Sequence, residues 1–175
     1  MTERHLISRE IGIDAAHRVT WHNSKCKNIH GHRYTVQAWC SGPLAGHGEQ
    51  TGMVLDFGFL KDVMMAEIDA PCDHGLILWI GDPYTPDFRP AVLTGISELH
   101  CDEVGWWAGR GNYGKLYLVP FVPTAENLAR HWFGRMARPV RDRSGDRAEL
   151  VGVKVWETPS CWAAYGPMFA PGDAR

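Results

Sequence analysis

The sequence predicts an α+β domain. Three observations predict it: period-two alternation near both ends of the chain, two helical periodicities between them, and a length of 175 residues that suits a single domain, 1–175. The resulting order is β-β-α-α-β-β.

The first strand spans Leu6 to His17. Ile7, Ile11, Ile13, Ala15 and His17 share one face, interrupted by Arg9. A polar loop follows, Arg18 to Asn28. The second strand runs from Ile29 to Cys40, with His30, His32, Tyr34, Val36 and Ala38 on one face. Ser41 to Gly52 is rich in glycine and reads as a hairpin loop, and Met53 to Leu55 adds a short strand edge. Asp56 is placed as an N-cap. Phe57, Leu60, Met64 and Ile68 recur at helical spacing behind it, and Pro71 ends that helix. Residues 79 to 118 read as a long irregular insertion with one short helix. The second helix opens at Thr124, with Ala125, Leu128, Ala129, Trp132, Phe133 and Met136 on one face. Residues 138 to 148 read as a charged turn. Val151, Val153, Val155 and Glu157 alternate on a third strand, and Trp162 to Tyr165 form a fourth.

Composition excludes several function classes. Hydrophobic residues make up 45% and charged residues 22%, as in ordinary globular domains. The net charge of −2 argues against an electrostatic nucleic-acid binder. No apolar run reaches the ~20 residues of a membrane span, and the charged start, MTERHLISRE, lacks the apolar core of an export signal. Five cysteines, odd in number and scattered, point to a cytoplasmic protein with reduced thiols.

His17, His30 and His32 stand apart from the other histidines. His30 and His32 are two residues apart on one strand, so both rings project from the same face. His17 closes the neighbouring strand. Three neutral imidazoles with an open fourth position suit a catalytic Zn2+, although imidazole also suits other transition metals. His5, His22, His47, His100 and His131 read as surface or packing residues. Cys26 lies between Lys25 and Lys27, where ammonium groups favour a thiolate. Cys40, Cys72, Cys101 and Cys161 read as small apolar residues. Asp73 beside His74 can set an imidazole tautomer and support proton transfer. Glu157 either reaches solvent at a strand end or accepts paired N–H donors such as the 2-amino-4-oxo edge of a pterin or guanine.

DAAHR (14–18), KCKNIHGH (25–32), MVLDFGFLK (53–61), CDHG (72–75), PTAENLA (123–129) and WET (156–158) together resemble the 6-pyruvoyl-tetrahydropterin synthase and 6-carboxytetrahydropterin synthase family. The resemblance covers residues 7–76 and 119–165. It implies the tunnelling fold, an antiparallel sheet backed by two helices. It also implies a homo-oligomer, usually a hexamer of two trimers, with active sites between subunits. Carried over, His17, His30 and His32 would bind zinc, and Cys26 would be the general base. Asp73 and His74 would relay protons, and Glu157 would anchor the pterin with help from Thr124. Arg18, Lys25 and Lys27 are placed as triphosphate contacts. The three residues between Cys26 and His30 resemble the bacterial 6-carboxy branch of the queuosine and 7-deazaguanine pathway. That branch is a lyase converting 7,8-dihydroneopterin triphosphate to 6-carboxytetrahydropterin, acetaldehyde and triphosphate. The alternatives are a 6-pyruvoyl-type triphosphate elimination and a non-catalytic pterin-binding oligomer. Two departures from the family pattern are the long connection 75–122, whose insertion with Trp106 and Trp107 would cap the active site, widen a subunit interface or alter substrate choice, and Trp156 where relatives often carry arginine.

Overall fold

A computed structural model describes residues 3–89 and 107–170 of the chain. The long apolar alternations become two strands, β1 (His5–His17) and β2 (His30–Gly42), paired antiparallel along their whole length from His5↔Gly42 to His17↔His30. Helix α1 (Phe57–Met64) follows. It starts where the Asp56 carboxylate accepts from the amides of Gly58 and Phe59, at 2.6 and 3.3 Å. The helix does not stop before Pro71. It continues through a π-helical turn (Met65–Asp69) and a closing turn (Ala70–Cys72). Next come β3 (Gly75–Trp79), the short helix α2 (Thr85–Phe88), β4 (Trp107–Gly111) and β5 (Gly114–Val119). Helix α3 (Ala125–Ser144), β6 (Glu149–Thr158) and β7 (Cys161–Tyr165) complete the chain.

The strands form one mixed, seven-stranded sheet in the order β4-β5-β3-β1-β2-β6-β7. The expected antiparallel pattern holds for β1, β2, β6 and β7. On the other side of β1 the pattern changes, because β3 pairs parallel with β1 and β5 parallel with β3. The expectation of an irregular insertion over 79–118 is therefore corrected. Its C-terminal part is a β4–β5 hairpin whose apolar run Leu116–Val119 is buried. Residues 90–106, which include His100, Cys101 and Trp106, lie outside the described residues, as does the side chain of Trp107.

Three further expectations change. Met53–Leu55 is not a strand; the Ala45 amide donates to the Met53 carbonyl, and Val54 and Leu55 drop into the core. Residues 138–144 are helix rather than turn, with Pro139 inside α3 and Gly145 closing it in the left-handed region at φ 59°. Val151 is only half-buried, because it is the extra residue of a bulge between the pairs Trp39↔Gly152 and Cys40↔Leu150. Leu150 takes the core position instead.

Both long helices cover one face of the sheet. Ile13 and Ala15 from β1, Tyr34, Val36, Ala38 and Cys40 from β2, and Val153 and Val155 from β6 pack there. Leu60, Met64, Ile68, Leu128, Trp132 and Met136 oppose them. Each large side chain so buried contributes about 1.5–3 kcal/mol. No helix among the described residues is long and apolar enough to cross a membrane.

Candidate active site

The helix-covered face turns polar at one end. Along β1 the inward positions run Ile13, Ala15, His17; along β2 they run Tyr34, His32, His30. Antiparallel register sets His17 directly opposite His30, and Ala15 opposite His32. Side chains at paired and diagonal positions of one face lie within reach of each other. The three rings accordingly meet, with centroids 4.6 Å (His17–His30), 5.1 Å (His17–His32) and 4.9 Å (His30–His32) apart. One potential ligand atom from each lies within 4.8 Å of the others. Tyr34 forms the floor, edge-on to His17 and His32 at 5.8 and 5.4 Å; burial pushes its phenol pKa up.

Two ring orientations are set by carbonyls. His17 Nδ1 lies 2.7 Å from the Pro123 carbonyl, and His30 Nδ1 lies 2.8 Å from that of Asn28. A carbonyl only accepts, so each Nδ1 carries the proton and each Nε2 keeps a lone pair. Burial lowers the His17 pKa to about 4, against the opposing pull of the Pro123 carbonyl. Burial and the neighbouring His30 lower that of His32 as well. His17 Nε2 is buried without a hydrogen-bond partner. A buried lone pair facing two more imidazoles fits a bound cation. His17, His30 and His32 would hold it, leaving a position open.

Glu157 approaches from the neighbouring strand, its Oε1 3.8 Å from His17 Nε2. It continues the inward face of Val153 and Val155, and a second bulge lies at the same point of β6. Trp156 pairs with Trp162 and Thr158 with Cys161, so Glu157 is the extra residue between them. Desolvation raises its pKa, and the Glu126 carboxylate raises it further, against the pull of His30.

Asp73 and His74 lie at the start of β3. The Asp73 carboxylate accepts from the Asp14 amide on Oδ1 at 2.9 Å and lies 2.7 Å from His74 Nδ1 on Oδ2. The His74 amide donates to the Asp14 carbonyl at 2.7 Å, with its backbone in the left-handed region at φ 55°. These bonds clip both residues to β1 and turn the exposed imidazole outward. Desolvation raises the Asp73 pKa, but the Asp14 amide and the adjacent His74 outweigh it and hold the carboxyl below its usual range. A cavity of about 620 Å³ has His32, His74 and Lys115 among its lining residues. A second, of about 570 Å³, is lined by His32, Arg33 and Glu157, so His32 borders both.

The other expected site residues are placed as follows. Cys26 sits half-buried on a single 3-10 turn (Lys25–Lys27) between β1 and β2. It is not part of the histidine cluster. Lys25 and Lys27 are exposed on the same turn. Thr124 caps α3, its hydroxyl accepting from the Asn127 amide at 3.4 Å. Arg18 is not an open phosphate contact: it is buried, with Nε 3.4 Å from Asp82 Oδ2. Lys115 escaped sequence reasoning because it lies in the segment read as irregular. The Pro123 and Asn28 carbonyls leave no side-chain signal at all.

A family model described as 6-pyruvoyl tetrahydropterin synthase matches residues 6–167. A 6-carboxy-5,6,7,8-tetrahydropterin synthase from Haemophilus influenzae is 31% identical over 159 residues, 91% of this chain and 96% of the relative. One of the same name from Rickettsia typhi is 33% identical over 155 residues, covering 89% and 95%. Among solved structures, an uncharacterized protein from Wolinella succinogenes superposes with TM-score 0.71 at 21% identity, covering 94% of this chain and 99% of that one. The Caenorhabditis elegans 6-pyruvoyl tetrahydropterin synthase superposes with TM-score 0.58 at 20% identity, covering 94% and 96%. At these identities the two structures speak to the fold alone.

Proposed function

The chain belongs to the 6-pyruvoyl tetrahydropterin synthase family, and on that premise we propose that it is a zinc-dependent 6-carboxy-5,6,7,8-tetrahydropterin synthase. It would be a lyase converting 7,8-dihydroneopterin triphosphate to 6-carboxytetrahydropterin, acetaldehyde and triphosphate. It would serve queuosine and 7-deazaguanine biosynthesis in the cytoplasm, as a homohexamer. The observation that carries the reading is that relatives of this name match about nine-tenths of the chain, while the fold gathers the histidine cluster that such chemistry needs.

When bound, the zinc supplies Lewis-acid polarisation of the substrate's vicinal side-chain oxygens. The protein groups divide the remaining work. His17, His30 and His32 would hold the ion through one ring nitrogen each. Glu157 accepts the paired N–H donors of the pterin ring in bidentate fashion, and Thr124 steadies the helix start beside it. Cys26 removes a side-chain proton from the substrate. His74, its Nδ1 held by Asp73, receives or returns a proton through the ring nitrogen that faces solvent. Lys25 contacts the triphosphate as a point charge.

Incubation of zinc-loaded protein with 7,8-dihydroneopterin triphosphate, read by mass spectrometry, tests the reading. The expected products are 6-carboxytetrahydropterin and an equal amount of acetaldehyde. Appearance of 6-pyruvoyltetrahydropterin alone would replace it with the elimination that the family's name describes. Tight pterin binding without turnover would make the chain a binding protein.

A further inference from the structure

Beside the histidines lies a buried polar cluster that the proposed chemistry does not use. Asp82, on the turn after β3, is 2% exposed; Arg18 and Thr20, just beyond the end of β1, are 8% and 5% exposed. Thr20 donates its hydroxyl to Asp82 Oδ2. Arg18 Nε lies 3.4 Å from the same oxygen. The Tyr84 amide donates to Asp82 Oδ1 at 2.8 Å, and the Tyr84 ring lies over the Arg18 guanidinium at 4.0 Å. The turn that carries Asp82 is itself tied down: its amide donates to the Trp79 carbonyl at 2.9 Å, and the Thr85 hydroxyl donates to that carbonyl at 2.7 Å.

The residues Asp82 grips are informative. Arg18 and Thr20 flank Val19, and the Val19 amide donates to the Cys26 carbonyl at 2.8 Å. That bond closes the neck of the loop between β1 and β2. Inside it, the Lys27 amide donates to Ser24 and the Asn28 amide to Lys25, at 3.2 and 3.0 Å, forming the turn on which Cys26 rides. One carboxylate therefore holds both residues that flank Val19, whose amide ties the Cys26 carbonyl to the end of β1. A guanidinium and a carboxylate with so little exposure are kept together, because either alone would be a buried uncompensated charge.

We infer that Asp82 is a positioning residue: through Arg18 and Thr20 it fixes the neck of the Cys26 loop, and so the place of Cys26 relative to the histidine cluster. The segment after β3 thus supports the candidate site, in addition to widening the sheet. The catalytic half of this inference rests on the proposed role of Cys26; the loop half does not.

The test compares Asp82→Asn, Thr20→Val and Thr20→Ser with the wild type. Peptide-resolved hydrogen exchange of residues 18–28 and mass-spectrometric alkylation of Cys26 are read together with kcat and KM. Asp82→Asn is expected to raise exchange over 18–28 by about tenfold while exchange across α3 stays unchanged. Cys26 alkylation should change by about fivefold or more as the neck opens. The kcat should fall by about 10- to 100-fold with KM within about twofold, since sub-ångström misplacement of a reacting group acts on turnover. Thr20→Val should move the same readouts in the same direction, and Thr20→Ser, which keeps the hydroxyl, should restore them. Unchanged exchange and alkylation would overturn the inference, as would a rise spread evenly over α3. If Asp82→Asn does not fold, the Thr20 pair decides. If the wild type shows no lyase turnover, exchange and alkylation still decide the loop half, and the functional reading fails separately.

Discussion

His17 shows how one residue is committed by its surroundings. Its ring is buried, its Nδ1–H is held by the Pro123 carbonyl, and its Nε2 lone pair faces two other imidazoles. In the metal-free protein this is a liability in acid. The folded pKa is about 4, against 6.5 in an unfolded chain. Below pH 6.5 the unfolded state therefore binds a proton that the folded state refuses. Metal-free protein should lose stability as pH falls from 6.5 towards 4, and His17→Asn should flatten that loss; urea titrations at several pH values check it. The metal assignment has its own test. His30→Ala removes one of three ligands, and zinc per chain measured by plasma mass spectrometry should fall by at least about tenfold in the presence of a competing chelator. Zinc retained at the wild-type level would remove His30 from the ligand set.

At the scale of elements, β1 and β2 were legible because their alternation is long and their register follows from it. Once both apolar faces turn inward, His17, His30 and His32 share that face without further instruction. Helix α3 was legible at its start, where Thr124 precedes an apolar periodicity, and illegible at its end. Proline and a run of charges favour a turn at 138–148. The structure carries the helix to Ser144 because Met136, Val140 and Ser144 remain buried on its inner face, and that packing outweighs the lost hydrogen bond at Pro139. Gly145 then ends it in a conformation that favours glycine. A Cβ there would meet nothing within 4 Å, so the penalty is conformational only. Gly145→Ala should cost about 1 kcal/mol, read in thermal unfolding as a drop of about 2–4 °C. Thr124 has a double position, since its hydroxyl caps α3 while the preceding carbonyl holds His17. Thr124→Ala should lower stability by about 1 kcal/mol. It should also weaken zinc binding, which a titration with a chelating dye would register.

At the scale of the molecule, the sheet ends in open edges. β3 covers β1 only from Ala15 to His17, and among the described residues no strand pairs with β1 from His5 to Asp14 on that side or with the outer side of β7. Leu6 and Trp162, on these strands, are each 56% exposed. Edges of this length are normally covered, and pairing between copies covers them without new chain. Sedimentation velocity at micromolar concentration should therefore show an assembly larger than a monomer, with a hexamer as the expected species. A monomer across the accessible range would leave the subunit-interface site without support.

The candidate site residues could be picked out along the chain because local patterns carry them: alternation puts histidines on one face, and an Asp-His pair and a capped helix start are short-range features. Long-range contacts set everything else. The 3.8 Å approach of Glu157 to His17 joins β6 to β1 across β2, which no single strand encodes. The parallel pairing of β1 with β3 brings His74 to the cavity shared with His32, and β3 in turn pairs with β5, a strand from the segment read as irregular. The Pro123 and Asn28 carbonyls that choose the histidine tautomers, and the Asp82 carboxylate that grips both sides of Val19, act across the fold. A backbone oxygen or a lone aspartate has no periodicity to announce it, and its meaning comes only from what folding places within about 3 Å of it.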